Sequence, residues 1–126
     1  MAKIAALKGY RYNTEIFKDL SSLITPPYDV IDKEAQDKFY QANPFNFIRL
    51  ELGKKDPDDT SVNNVYTRAA ATFQEWCQNK ILIQEEKPAL YLYQQEFHIN
   101  DAKYIRTGFM CCLKAEDYSS GQVPLS

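Results

Sequence analysis

The sequence predicts an α+β domain: a mixed or antiparallel sheet that includes a C-terminal β-hairpin, packed on one long amphipathic helix. Three observations carry this expectation. Val62, Val65, Tyr66, Ala69, Ala70, Phe73, Trp76 and Cys77 recur at three- and four-residue steps, which draws one apolar stripe along a helix of about five turns. After Pro88 the apolar period becomes two, in the runs 89–99 and 103–113. Asn100-Asp101, with Ala102, lies between those runs and supplies the turn chemistry of a hairpin. A one-sided helix and one-sided strands bury their apolar faces most readily against each other.

The remaining elements follow in chain order. Residues 3–7 are apolar enough for a strand, and Gly9-Tyr10-Arg11-Tyr12-Asn13 reads as a loop. Pro26 and Pro27 exclude a helix and push Thr25 toward extended backbone. Asp32 is placed to cap a short helix over 33–40, with Ala35 and Phe39 on one face, and Asn43-Pro44 ends it. Residues 45–52 are expected as a strand because of Phe47 and Ile48. Residues 53–59 form a charged, turn-rich loop. Thr60 caps the long helix, Asn79-Lys80 ends it, and Ile81-Leu82-Ile83 reads as a short strand. In the hairpin, Tyr91, Tyr93, Gln95, Phe97 and Ile99 share one face, and Leu90, Leu92, Gln94, Glu96 and His98 the other. Residues 114–126 are a polar tail.

A chain of 126 residues is read as a single domain, 1–126, long enough to bury a core without disulfides. With 44% hydrophobic and 25% charged residues it is not a disordered chain. No apolar run approaches the roughly 20 residues of a membrane span, so no membrane partner is expected. No signal-peptide pattern opens the sequence, so the expected location is cytoplasmic. The net charge of −2 and the lack of a basic stripe exclude nucleic acid as an expected partner. The three cysteines, Cys77, Cys111 and Cys112, are expected as free thiols serving as small buried hydrophobes. A zinc site would need more ligands than these cysteines and the single His98 supply, so no metal is expected.

No Gly-rich phosphate loop, nucleophile elbow or metal-binding histidine pair is present, and no cofactor is expected. The aspartates of the 53–59 loop lack the spacing, central glycine and terminal glutamate of an EF-hand. His98 is read as an exposed strand residue near the hairpin tip. What remains is a polar set on proline-constrained backbone: Thr25, Tyr28, Asp29, Asn43, Asn46, Arg49 and Glu51. Prolines pre-order the Thr25-Pro26-Pro27-Tyr28-Asp29 segment, so it can present Tyr28 and Asp29 to a ligand at low ordering cost. An arginine such as Arg49 suits bidentate contact with a carboxylate or phosphate. The ligand-binding candidates are therefore Thr25, Tyr28, Asp29, Asn46, Arg49 and Glu51. Each also has a structural reading, in which Asp29 or Glu51 caps a helix or pairs with Arg49.

The runs 25–31 and 43–52, the helix segment 66–70, the strand 88–97 and Arg106-Thr107-Gly108-Phe109 together resemble the start of a bacterial and archaeal family called domain of unknown function 1015. The resemblance spans nearly the whole chain in collinear order. Members of that family are considerably longer. They continue from a Gly-x-Val-x-Pro-like turn into a His-Glu pair, and later carry a Gly-His-His-Arg segment similar to the phosphate-handling motif of a superfamily that includes a free-serine kinase. Here Gly121, Val123 and Pro124 resemble that approach, while Leu125 and Ser126 stand where His and Glu are expected. The resemblance thus implies phosphotransferase-like longer members and a truncated N-terminal module here.

The expected function is that of an isolated module that binds a small anionic metabolite or nucleotide without turnover. Two alternatives stand beside it. One is a small enzyme that uses Asp29 and Glu51 as acid and base. The other is an interaction module, a homo-oligomer formed through the hairpin sheet, with Tyr91, Tyr93, Phe97, Phe109 and Cys111 at the contact.

Overall fold

The computed structural model describes residues 3–115. Its elements are β1 (Ile4–Ala5), β2 (Tyr10–Tyr12), a 3₁₀ turn (Tyr28–Val30), α1 (Lys33–Ala42), α2 (Ile48–Glu51), α3 (Val65–Gln78), β3 (Leu82–Gln84), β4 (Tyr91–Ile99), β5 (Ala102–Met110) and β6 (Cys112–Leu113). The chain is α+β, and every strand pairing among the described residues is antiparallel. No described helix is long and apolar enough to cross a membrane. The chain forms two compact units, Tyr10–Gln84 and the described part of Met1–Gly9 with Glu85–Ser126.

In the unit Tyr10–Gln84, α3 packs against α2 and β3, and β3 pairs with β2 in the register Tyr10↔Gln84, Arg11↔Ile83, Tyr12↔Leu82. Residues 10–12, expected in a loop, are therefore a strand; their partner, some 70 residues along the chain, supplies the ladder. The core is Tyr12, Leu23, Trp76, Ile81 and Leu82, with Phe17, Leu20, Phe45, Leu50, Phe73 and Cys77 packed on it. Phe45 meets Trp76 and Phe17 edge-on, at centroid distances of 5.9 and 5.7 Å. Such pairings add to simple burial.

Capping explains the helix limits. Asp32 accepts the Ala35 N–H at 2.8 Å and starts α1, as the sequence leads one to expect. The long helix starts later than expected, at Val65. Asn64 caps it, with a reciprocal bond from the Asn64 N–H to the Thr67 hydroxyl at 2.9 Å. Thr60 instead closes the preceding turn, accepting the N–H of Asn63 at 3.0 Å. The apolar stripe is correspondingly narrower. Trp76 is buried and Val65, Ala69 and Phe73 half-buried, whereas Val62, Tyr66 and Ala70 are exposed. Ten residues at about 100° each leave Tyr66 about 80° from the direction of Trp76.

At the other end Lys80 adopts a left-handed φ of 57°. Ile81 N–H returns to the Trp76 carbonyl at 2.8 Å and Lys80 N–H to that of Cys77 at 3.2 Å. This is a Schellman closure, in which Ile81 folds back onto the helix.

Within residues 45–52, expected as a strand, Ile48–Glu51 instead form the short helix α2 after a turn. The Asn46 side-chain oxygen accepts the Ile48 N–H at 2.9 Å, and Glu51 N–H and Leu52 N–H reach back to Phe47 and Ile48. Propensity of Phe47 and Ile48 for strand loses to this local capping and to complete burial of Ile48.

In the other unit, β4 and β5 form the expected hairpin, with Tyr91↔Met110 at its base and Ile99↔Ala102 at its tip. Asn100 and Asp101 both take positive φ, 48° and 63°, which is the twist-matched geometry of a two-residue turn. The N-terminal segment is held by the residues that flank the base of the hairpin: Leu7 bridges Ala89, and β1 pairs with β6. Tyr91 and Tyr93 lie over glycines. The Tyr91 hydroxyl accepts the Gly9 N–H at 2.9 Å, and a Cβ at Gly108 would stand 2.5 Å from the Tyr93 ring. An aromatic ring covering a strand glycine restores packing that the glycine lacks. Of the three free cysteines, Cys77 and Cys111 are half-buried and Cys112 is exposed, which corrects the expectation that all three are buried.

Candidate functional site

A polar cavity of the unit Tyr10–Gln84, about 580 Å³, opens between the C-terminal part of α1, α2, the 53–64 loop and α3. Tyr40, Arg49, Lys54, Lys55 and Arg68 bring aromatic and cationic groups to it, and Asp56, Asp58 and Asp59 bring carboxylates. Arg49 is on α2, and its guanidinium is fixed from two sides. Nε donates to the Pro44 carbonyl at 2.7 Å and Nη2 to the Tyr40 carbonyl at 2.9 Å. The guanidinium carbon lies 4.4 Å from the centre of the Tyr40 ring. No carboxylate pairs with Arg49 among the described residues.

The other cations are arranged differently. Lys54 lies 4.8 Å from the same ring and forms an ion pair with Asp37, which holds the Asp37 carboxyl below the usual aspartate range. Arg68 grips Asp59 through both guanidinium nitrogens, at 2.5 and 3.2 Å, and donates to the Lys54 carbonyl at 2.9 Å. That hydrogen-bonded fork keeps Asp59 below its ordinary value and ties the loop to α3. The loop aspartates do not assemble a metal-binding group among the described residues. Asp56 accepts the Asp58 N–H at 3.0 Å, and Asp59 is committed to Arg68.

A second cavity of about 390 Å³ is lined by the polar and aromatic side chains of Tyr28, Glu51, Lys55 and Tyr66 and by the apolar ones of Leu50, Leu52 and Ala69. It shares Gly53, Lys55 and Val65 with the first. Pro27 precedes the 3₁₀ turn that carries Tyr28, and the Asn64 capping box fixes the first turn of α3, which carries Tyr66.

The six candidates named from the sequence are thus distributed in five ways. Arg49 lines the first cavity; Tyr28 and Glu51 line the second. Thr25 donates its hydroxyl to the Glu51 carboxylate at 2.9 Å, so it orients that carboxylate. Asn46 is fully buried, with Nδ2 on the Ser22 carbonyl at 2.8 Å and Oδ1 on the Ile48 N–H, so its polar atoms are spent on holding α2. Asp29 is exposed and makes no hydrogen bond or ion pair among the described residues. Asn43 also acts locally, accepting the Phe45 N–H at 2.9 Å.

Sequence reasoning missed Tyr40, Lys54, Lys55, Tyr66 and Arg68. The lysines sit in a run that reads as a solvated loop, and Tyr66 falls at a stripe-compatible step. The exposure of Tyr66 could have been found by noting that Val65, Ala69, Thr72 and Trp76 alone complete a narrow helical seam.

Comparison with curated proteins finds no match, and comparison with solved structures finds none. The family described as "Protein of unknown function (DUF1015)" matches residues 4–124, nearly the whole chain, and the chain belongs to that family.

Proposed function

We propose that the unit Tyr10–Gln84 binds a small anionic metabolite, with the anionic group on Arg49. One observation carries the reading: Arg49 is held by two main-chain carbonyls and the Tyr40 ring at the wall of a cavity, with its charge unmatched by any described carboxylate. A guanidinium already locked in place loses little freedom on binding, so more of its interaction with a carboxylate or phosphate appears as affinity. Lys55 shares the cavity wall and adds to the local positive charge. Asp56 and Asp58 are placed to accept from hydroxyl or amino groups of the same ligand. The cavity volume lies within the range of small-molecule sites.

Calorimetric titration with ribose 5-phosphate, inorganic phosphate and citrate tests this. Arg49→Ala is expected to weaken the binding of at least one of them by about 10- to 100-fold, the effect of losing a charge-assisted hydrogen bond. Lys55→Ala, at an exposed position, keeps the test informative if Arg49→Ala fails to fold. Affinity unchanged in both variants overturns the reading.

A second reading, homo-oligomerisation through the hairpin, draws on a different observation. Leu92, Ile105 and Phe109 share one face of β4–β5 and all are exposed, whereas Tyr91, Tyr93 and Phe97, which the sequence groups with Phe109, lie on the other face. An isolated two-stranded ribbon is marginal in water, and apolar faces of this kind are covered by partners. Sedimentation at micromolar concentration tests it: a monomer mass throughout, unchanged by Leu92→Lys, excludes it.

A further inference from the structure

The two cavities of the unit Tyr10–Gln84 meet at Gly53, Lys55 and Val65, and they differ in chemistry. One holds the locked guanidinium of Arg49. The other is lined in part by Tyr28 and Tyr66, which remain 62% and 81% exposed. Large aromatic rings at such exposure serve no core. Each is nevertheless held on a constrained segment, Tyr28 behind the Pro26-Pro27 pair and Tyr66 in the capped first turn of α3. Rigid backbone beneath an exposed ring is the arrangement that lets a planar ligand stack at little entropic cost.

We infer that the anion bound at Arg49 also carries a planar ring, which stacks on Tyr28 and Tyr66. The matching chemistry is that of a mononucleotide or an aromatic carboxylate. This rests on the anion-binding reading and deepens it. Lys55, common to both cavities, is placed to contact the group that joins ring to anion. The Glu51 carboxylate, oriented by the Thr25 hydroxyl, lies at the ring end, where it can accept from an amino or hydroxyl substituent. Gly53 leaves the passage between the cavities open. A Cβ there would meet Val65 at an ordinary 3.6 Å, so alanine fits the backbone and narrows the passage.

The test compares four probes by calorimetry: adenosine 5′-monophosphate, adenosine, ribose 5-phosphate and indole-3-acetate. Stacking on aromatic side chains is expected to make a ring-bearing anion bind about 5- to 100-fold more tightly than ribose 5-phosphate. Tyr66→Ala and Tyr28→Ala are expected to remove that advantage and leave ribose 5-phosphate binding unchanged, while Arg49→Ala weakens both. Gly53→Ala is expected to weaken the ring-bearing anion alone. Tighter binding of the mononucleotide identifies a nucleotide as the source of the ring, and tighter binding of indole-3-acetate an aromatic acid. If ribose 5-phosphate binds in an Arg49-dependent way and the ring adds nothing, this inference falls and the anion-binding reading stands. If no probe binds, both fall.

Discussion

Tyr12 offers a test of the core that has an internal sign change. Its ring is 9% exposed and lies among Phe17 and Trp76, and its hydroxyl donates to the Phe45 carbonyl at 2.8 Å. Burial pushes the phenol up from 10.0 to about 12. Tyr12→Phe keeps the ring and removes the donor, so the Phe45 carbonyl loses its side-chain partner. The expected cost at pH 7 is about 1–2 kcal/mol. Above pH 10 the balance changes. The unfolded chain releases the phenolic proton near pH 10 while the folded chain retains it to about 12, so the unfolded state binds fewer protons and stability falls as pH rises. Two pKa units correspond to about 2.7 kcal/mol, lost by the parent between pH 10 and 12 and not lost by the phenylalanine variant. The two stabilities should therefore converge near pH 11, where the parent has lost about 1.4 kcal/mol. Urea unfolding followed by the fluorescence of Trp76, the single tryptophan, reads this unit at each pH. A gap that stays constant from pH 8 to 11.5 would refute the reasoning, because the phenol would then titrate alike in both states.

Trp76→Ala should cost about 3–5 kcal/mol, since the side chain is 3% exposed and packs against Tyr12 and Phe45; a melting temperature within a degree or two of the parent contradicts that burial. Lys80→Gly should stabilise by about 0.5–1 kcal/mol, because a side chain at φ 57° is strained and glycine is not; chemical denaturation that shows a loss speaks against the Schellman closure. The Arg68 fork lowers the Asp59 carboxyl, so its contribution is present above the ordinary aspartate value near 4 and is lost as pH falls through the lowered one. Hydrogen-exchange protection across residues 54–60, taken relative to the intrinsic rate at each pH, should accordingly fall below pH 4 in the parent, and Asp59→Asn should be poorly protected already at pH 6. Equal rates in the two proteins at pH 6 would show that the fork does not hold the loop.

The elements legible in the sequence are those whose causes are local. The Asp32 cap, the Asn79-Lys80 helix end, the long helix and the hairpin with its Asn100-Asp101 turn all depend on residues within a few positions of one another. Capping, left-handed φ and apolar period act over one or two turns, so a short window of sequence contains their whole explanation. The family was legible for a related reason: the resemblance rests on short runs read directly as strings of residues, and the family match over residues 4–124 agrees with it.

Other features were decided by contacts the sequence does not order. Residues 10–12 become a strand only because 82–84 lie alongside, and residues 48–51 become helix because the Asn46 side chain accepts the Ile48 N–H and Ile48 is buried. Of the polar set on the proline-fixed segments, Tyr28, Arg49 and Glu51 line cavities, while Asn46 is consumed by the scaffold. The sequence alone could not separate these fates, since all are polar residues beside prolines. The packing of α2 against α3 brings Arg49 to the same wall as Arg68, 19 positions on, with Lys54 and Lys55 carried in by the loop between. A charge acts on its surroundings through space, not along the chain, so which cations share a cavity is fixed only when the helices that carry them pack.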